Sequence, residues 1–108
     1  MMTDHKWSVR FRPSVRNDLA QAISWYKHEA AEQIPRFVAE YEKAIDLIAT
    51  QPYLFPERIG VARCYSLRVF PYGIWYVLDE PSTTVHILAI YHFRRNPDRL
   101  RKQLDSNE

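Results

Sequence analysis

Hydrophobic and polar residues change their spacing along the chain, and each spacing predicts an element. The alternation in Trp7–Phe11 is typical of a half-buried strand that Pro13 ends. Ser14–Glu29 has apolar residues at helical spacing, which predicts an amphipathic helix with Ser14 as its N-cap. A second helix is expected over Glu32–Thr50, and the short connection between the two indicates an antiparallel hairpin.

The second half of the chain carries strand patterns. Strands are predicted over Val61–Phe70, Gly73–Leu78 and Thr84–His92, and a short helix over Arg99–Leu104. Apolar residues occupy both odd and even positions of the last strand, whose side chains point to opposite faces of the sheet. We therefore expect this strand to be central and covered on both faces. The fold class predicted is α+β: a two-helix antiparallel hairpin packed on one face of a small, mostly antiparallel four-stranded sheet, in the order β-α-α-β-β-β.

Composition narrows the class of protein. The chain has 108 residues, of which 46% are hydrophobic and 14% aromatic, which predicts one globular domain over residues 1–108. The net charge of +2 permits an acidic partner without demanding nucleic acid. A lone cysteine, together with the absence of a signal-peptide or membrane-span pattern, leads us to expect a soluble cytoplasmic protein.

Cationic side chains concentrate where the last strand ends. His92, Arg94 and Arg95 come at this end, and Arg99 follows shortly after. Guanidinium groups suit an anion, such as a phosphate, a carboxylate or an acidic partner. Arg68 approaches Arg94 if its own predicted strand neighbours the last one. The alternative is that Arg68 pairs with a helix glutamate, that the other arginines are solvated, and that His92 is a packing residue.

Other chemistries have weaker signals. Cys64 is expected to be a buried structural residue, and the four histidines lack the spacing of zinc sites. The chain has two glycines and no phosphate-cradling loop, so we expect neither a metal nor a cofactor. Aromatic residues, among them Tyr72, Trp75 and Tyr76, crowd the predicted sheet. They are expected in the core or in an apolar groove that a partner fills.

Two segments resemble the RelE/ParE superfamily of type II toxin–antitoxin toxins. Tyr65–Tyr76 contains Leu-Arg-x-Phe-Pro-Tyr before the third strand and Tyr76 within it, and Ile87–Asp98 contains His-x-Arg-Arg-x-Pro. The resemblance covers about Ser8–Leu104. It implies a small cytoplasmic bacterial toxin in a hetero-oligomer with an antitoxin, which covers the toxin's apolar groove and basic face.

The superfamily contains two mechanisms. RelE-like members cut mRNA in the ribosomal A site and carry two lysines, two arginines and a C-terminal tyrosine. The matching positions here are Cys64, Ser66, Gly73, Arg94 and a position near Leu100, so only Arg94 agrees. ParE-like members poison DNA gyrase and do not cleave nucleic acid, and the motifs of this chain are closer to that branch.

The resemblance therefore implies a gyrase-directed toxin that is not itself a nuclease. One alternative is a ribosome-dependent mRNA endonuclease, in which Arg68, His92 and Arg94 would be catalytic. Another is a toxin fold retained mainly as a partner of an antitoxin. The residues expected to bind the target or the antitoxin are Arg68, Tyr76, His92, Arg94, Arg95 and Arg99.

Overall fold

A computed structural model describes residues 6–106 of the chain. The strands are β1 Ser8–Phe11, β2 Glu57–Ile59, β3 Ala62–Ser66, β4 Tyr72–Asp79 and β5 Thr84–His92. The helices are α1 Pro13–Glu29, α2 Ile34–Thr50 and α3 Pro97–Asp105, and a 3-10 turn at Ala31–Gln33 precedes α2. The α+β class, the helical hairpin and the C-terminal helix are confirmed. Within residues 6–106, none of the helices is long and apolar enough to span a membrane.

The strands form one sheet in the order β1-β5-β4-β3-β2. β1 runs parallel to β5, and the other neighbouring pairs are antiparallel. The predicted count of four strands was wrong, because β2 was not recognised. β2 has three residues, only one of them apolar, so it carries too short a pattern to read as a strand.

β5 is central, as predicted, and separate clusters cover its two faces. On one face the helical hairpin packs Phe37 and Ile48 against Ile74 and Ile87. On the other face Leu100 of α3 packs with sheet residues, among them Trp75, Ala89 and Tyr91. An apolar run without alternation is the pattern that a strand buried on both sides requires.

α1 begins one residue earlier than predicted. Pro13 occupies the first turn, where the amide hydrogen that proline lacks has no helical partner. The N-cap is Arg12, whose side chain makes no capping hydrogen bond, so the prediction of Ser14 as N-cap was wrong. The Ser14 hydroxyl is instead buried without a hydrogen-bond partner among the described residues.

β1 pairs with β5 only as far as Ile87. Beyond that residue, side chains from two helices form hydrogen bonds with the backbone groups of β5 that face this side. Asp18 of α1 accepts a hydrogen bond from the backbone amide of Ile90 at 2.9 Å. Gln103 of α3 donates to the Asp18 carboxylate at 2.8 Å and to the Leu88 carbonyl at 3.3 Å. We call this arrangement the Asp18–Gln103 bridge. It joins α1 and α3 across the sheet edge and supplies partners that an adjacent strand would otherwise provide.

Candidate functional site

The basic end of β5 forms one rim of a cleft of about 780 Å³. His92, Arg94 and Arg95 line this rim. Trp25 and Tyr26 of α1 line its other side, and Tyr72, at the start of β4, lines it next to His92. We call this the α1–β5 cleft. None of its described lining residues is acidic, and the carboxylate of Asp18, outside the lining, interacts electrostatically with Arg95.

Helix periodicity and strand register bring these residues together. Tyr26 lies on the buried stripe of α1, four residues after Ala22, and the neighbouring Trp25 is 56% exposed. Tyr72 pairs with His92 in the β4–β5 register, and their rings lie 5.0 Å apart in an edge-to-face arrangement. The cleft therefore has an aromatic wall that is fixed by the core on one side and open to solvent at Trp25.

His92 is held in one orientation by its neighbour. Its Nδ1 accepts a hydrogen bond from the backbone amide of Arg94 at 3.0 Å. The pKa of His92 is lowered, first by burial and then by the charges of Arg94 and Arg95. A neutral ring that accepts at Nδ1 carries its proton on Nε2, so His92 adds a hydrogen-bond donor to the cleft.

Further donors line the cleft. The Arg95 guanidinium donates to the side-chain oxygen of Gln21 at 3.1 Å, which links the two rims. Burial raises the pKa of Tyr26 and of Tyr72, so both phenols stay protonated. The combination of cations, neutral donors and aromatic surface suits an anion that carries an apolar group. Among residues 6–106, no group of three or more histidine, cysteine or carboxylate side chains is placed to hold a metal ion.

The predicted site residues are only partly brought together. His92, Arg94 and Arg95 share the cleft, whereas Arg99 lies exposed on α3 and does not line it. The condition under which Arg68 was expected to approach Arg94, that its strand neighbours the last one, is not met. β3 ends at Ser66, and β4 separates it from β5.

Arg68 lies in the connection between β3 and β4. There its backbone amide, rather than its guanidinium, donates to the carboxylate of Glu40 on α2. Its side chain lines a separate groove of about 680 Å³ that also contains Arg36 and Tyr65.

Tyr76 belongs to the core. Its side chain is fully buried, and its hydroxyl donates to the carbonyl of Pro52 at 2.8 Å. Burial raises the pKa of Tyr76 to about 12. Its hydroxyl therefore fixes the loop after α2 to the sheet, and its ring presents no surface to a partner.

Sequence reasoning missed Trp25 and Tyr26 as site residues, and it named Tyr72 only among the aromatic residues expected in the core or in a groove that a partner fills. The available signal was a large aromatic residue, Trp25, immediately beside the apolar stripe of the first helix. Exposed aromatic surface next to a stripe is unusual for a purely solvated helix face. The pairing of Tyr72 with His92 depends on strand register, which a single sequence does not give.

Three of the positions that carry ribonuclease side chains in RelE-like proteins are packed in this chain, whereas Ser66 is exposed. A Cβ atom on Gly73 would lie 2.7 Å from Cys64 Sγ and 3.0 Å from Phe93 Cζ. Burial raises the pKa of the Cys64 thiol to about 11, which keeps it protonated and unreactive. Leu100 is buried against the sheet. Gly73, Cys64 and Leu100 therefore fill space and supply no cation, and the hydroxyl of Ser66 is neutral.

Comparisons with known proteins identify a family from the sequence and a shared fold from solved structures. The family model described as the ParE toxin of the type II toxin–antitoxin system parDE matches residues 9–97. The solved chromosomal ParDE system from P. aeruginosa is similar with a TM-score of 0.70 and 15% identity, over 82% of this chain and 97% of that one. The toxin–antitoxin complex RelBE2 from Mycobacterium tuberculosis is similar with a TM-score of 0.55 and 23% identity, over 86% of this chain and 98% of that one. The comparison with curated protein sequences gives no match. At these identities, the two structures show a shared fold.

Proposed function

The chain belongs to the ParE toxin family of type II toxin–antitoxin systems, and on that premise we propose that it arrests growth by acting on DNA gyrase. In this proposal a cognate antitoxin neutralises it in a cytoplasmic hetero-oligomer. Membership of the family makes it a toxin of the ParE/RelE superfamily. The choice of gyrase as target is the step that we add.

The packing around Gly73 is the observation that supports gyrase, rather than mRNA, as the target. Cleavage of a phosphodiester through the ribose hydroxyl needs a base or proton shuttle, and cations that stabilise the developing charge. At this face of the sheet Gly73 lies against the ring of Phe93, and Cys64 is a buried thiol. These groups do not meet that chemical requirement, which favours a toxin that acts by binding a protein target.

Binding of a macromolecule is supported by the α1–β5 cleft and the surface near it. His92, Arg94 and Arg95 present donors at the cleft, and Arg99 adds a charge on the neighbouring helix. We assign target or antitoxin binding to these four residues. Arg68 contributes through its separate groove, and Tyr76 contributes only by supporting the core.

A supercoiling assay tests the target. Addition of the purified full-length chain to DNA gyrase is expected to inhibit supercoiling, and the double variant Arg94→Glu, Arg95→Glu is expected to lose most of this inhibition. Arg10→Glu is the control, because Arg10 is exposed on β1 and lines neither the cleft nor the groove of Arg68. Unchanged supercoiling at a large excess of the chain would rule out gyrase as the target.

The two alternatives have different outcomes in cells. New mRNA ends at ribosomal A sites after induction would favour the endonuclease. Normal growth after induction without an antitoxin would favour a fold retained as an antitoxin partner. Growth arrest with intact mRNA and impaired supercoiling is the outcome that the gyrase proposal requires.

A further inference from the structure

A second hollow lies beside α3, on the face of the sheet that the helical hairpin does not cover. It has a volume of about 280 Å³, and Trp75, Phe93 and Leu100 contribute to its lining. We call it the α3 pocket. Its volume lies just below the range of roughly 300–1,000 Å³ that is typical of pockets for drug-sized ligands, so it suits a smaller molecule.

Cations reach the α3 pocket from three separate elements. Arg58 comes from β2, Arg95 from the connection after β5, and Arg101 from α3. His92 also lines the pocket, and none of the described lining residues is acidic. Three like charges around one small space repel one another, and a bound anion would offset that repulsion.

The three guanidinium groups keep donors available for a ligand. Arg58 forms no salt bridge among the described residues and lies over the ring of Trp75, 5.7 Å from the ring centroid. Arg101 contacts the exposed carboxylate of Asp98 at 3.5 Å through one nitrogen. Arg95 likewise uses one nitrogen, for its hydrogen bond across the cleft. A guanidinium has five N–H donors, so each of the three can bind a ligand without losing its present contact.

The indole N–H of Trp75 is a donor that lacks an acceptor. Trp75 lines the α3 pocket and is only 4% exposed. Its Nε1 atom is buried, and it has no hydrogen-bond partner in the part of the chain that the structure describes. Native structures normally give a buried donor an acceptor, because an unpaired one destabilises the fold. A ligand oxygen in the pocket would supply that acceptor.

We propose that the α3 pocket binds a phosphate dianion, free or as the monoester of a small molecule, whose oxygens accept hydrogen bonds from Arg58, Arg101 and the indole of Trp75. A phosphate presents oxygens in several directions and carries up to two charges, which matches three cations on separate elements. A carboxylate is planar, carries one charge and is satisfied by a single guanidinium fork. The pocket shares only His92 and Arg95 with the α1–β5 cleft, and the proposal does not depend on the cellular target.

A nucleic-acid strand fits the α3 pocket less well than a small phosphate. Binding of a strand normally uses a row of several cations that follow the phosphate backbone. Here the cations surround one space of about 280 Å³. A phosphate held between Arg58 and Arg101 would instead connect β2, at the edge of the sheet, to α3. We therefore expect the backbone amides of α3 to exchange with solvent more slowly when the ligand is bound.

NMR titration of the nitrogen-15-labelled full-length chain tests the proposal. The probes are inorganic phosphate and phenyl phosphate, and acetate at the same ionic strength is the comparison anion. Both phosphates are expected to shift the indole N–H signal of Trp75, which Trp75→Phe assigns, and to bind at least about tenfold more tightly than acetate. Tighter binding of phenyl phosphate would identify a monoester as the ligand, because only a monoester can also cover the half-exposed ring of Phe93. Equal or weaker binding would identify free phosphate.

Two variants assign the binding to the α3 pocket. Arg58→Gln and Arg101→Gln are each expected to weaken phosphate binding by roughly tenfold. Matched controls are Arg10→Gln and Lys102→Gln, which also remove one positive charge from an exposed position on a strand and on α3 but do not line the pocket. The controls are expected to keep the affinity within about twofold. Thermal melts of all four variants verify that each is folded.

Several results would overturn the proposal. These are equal affinity for acetate and phosphate, an unchanged affinity in the two pocket variants, no shift of the Trp75 indole signal at saturation, or tighter binding of a single-stranded oligonucleotide without a terminal phosphate. Phosphate binding and supercoiling are measured separately. A chain that binds phosphate but spares gyrase refutes the target alone, whereas a chain that inhibits gyrase but does not bind phosphate refutes the ligand alone.

Discussion

At position 73 the backbone of β4 runs directly beneath the ring of Phe93. The Sγ atom of Cys64 in the neighbouring strand fills the remaining space, so any side chain at this position must displace one of the two. Glycine is thus required here by close packing. The same packing occupies the position where RelE-like proteins place an arginine, which links this local contact to the proposed target.

We predict that Gly73→Ala lowers the free energy of unfolding by about 1–3 kcal/mol, which is typical of overpacking in a filled core. The added Cβ would meet Cys64 Sγ at 2.7 Å. Urea denaturation of the single variant and of Gly73→Ala combined with Cys64→Ala measures the effect. The second alanine should reduce the penalty of the first, because it removes the closest atom.

Gly60→Ala is the matched control for this prediction. A Cβ at Gly60 meets nothing within 4 Å, but the backbone there has a φ of +55°, so the cost is one of conformation and not of space. Cys64→Ala should leave that cost unchanged. If Cys64→Ala relieved both alanine variants equally, or neither of them, close packing at position 73 would be refuted.

At the scale of elements, the Asp18–Gln103 bridge stabilises α3 against the sheet. Burial raises the pKa of Asp18, while the hydrogen bonds from Ile90 and Gln103 lower it. A carboxyl whose folded pKa lies above the unfolded value binds more protons in the folded state over that interval. Its contribution to stability therefore falls as the pH rises from the ordinary value of 3.8 through the folded pKa.

Gln103→Leu is predicted to lower the free energy of unfolding by about 1–3 kcal/mol, because the Asp18 carboxylate loses a donor. The loss should be larger near pH 7 than near pH 4, since removing this bond raises the folded pKa of Asp18 further. Urea denaturation at the two pH values measures it. Gln51→Leu is the control, at an exposed position just after α2. A penalty that shrank with rising pH would contradict the bridge.

The elements that the sequence predicted well are those whose pattern ends abruptly. β5 has the predicted bounds Thr84–His92, because its apolar run is flanked by polar residues on both sides. β3 was predicted to continue to Phe70 because Leu67 and Val69 prolong the alternation. In the structure the chain leaves the ladder after Ser66 and turns, with the Leu67 amide bonded to the Tyr72 carbonyl. Alternation alone does not distinguish a strand from such a turn.

Strand order decided the position of a site residue. Arg68 was expected beside Arg94 only if its strand neighboured the last one, but β4 lies between β3 and β5, and the turn after β3 brings the Arg68 backbone to Glu40 of α2. The basic end of β5 was predicted because its residues are consecutive in sequence. The aromatic wall was not predicted, since it joins α1 to β4 through tertiary packing and strand register.

At the scale of the whole molecule, several large apolar side chains remain about half exposed. Phe11, Trp25 and Phe93 are among them. A surface of this kind is typical of a protein whose stable form includes a partner. Because a partner that binds only the folded chain shifts the folding equilibrium, occupation of the α1–β5 cleft should appear as a gain in thermal stability.

We therefore predict that a short acidic–apolar peptide, acetyl-Glu-Asp-Phe-Leu-Glu-Asp-amide, raises the melting temperature of the full-length chain progressively with its concentration. At about 100 times the dissociation constant, the expected stabilisation is about 2.7 kcal/mol. For a domain of this size, that corresponds to a shift on the order of 10 °C. Differential scanning calorimetry of the wild-type chain and of Arg94→Glu measures it. At the same peptide concentration the variant should shift by a smaller amount, because its dissociation constant is larger, and an equal shift in both chains would place the stabilising contact outside the cleft.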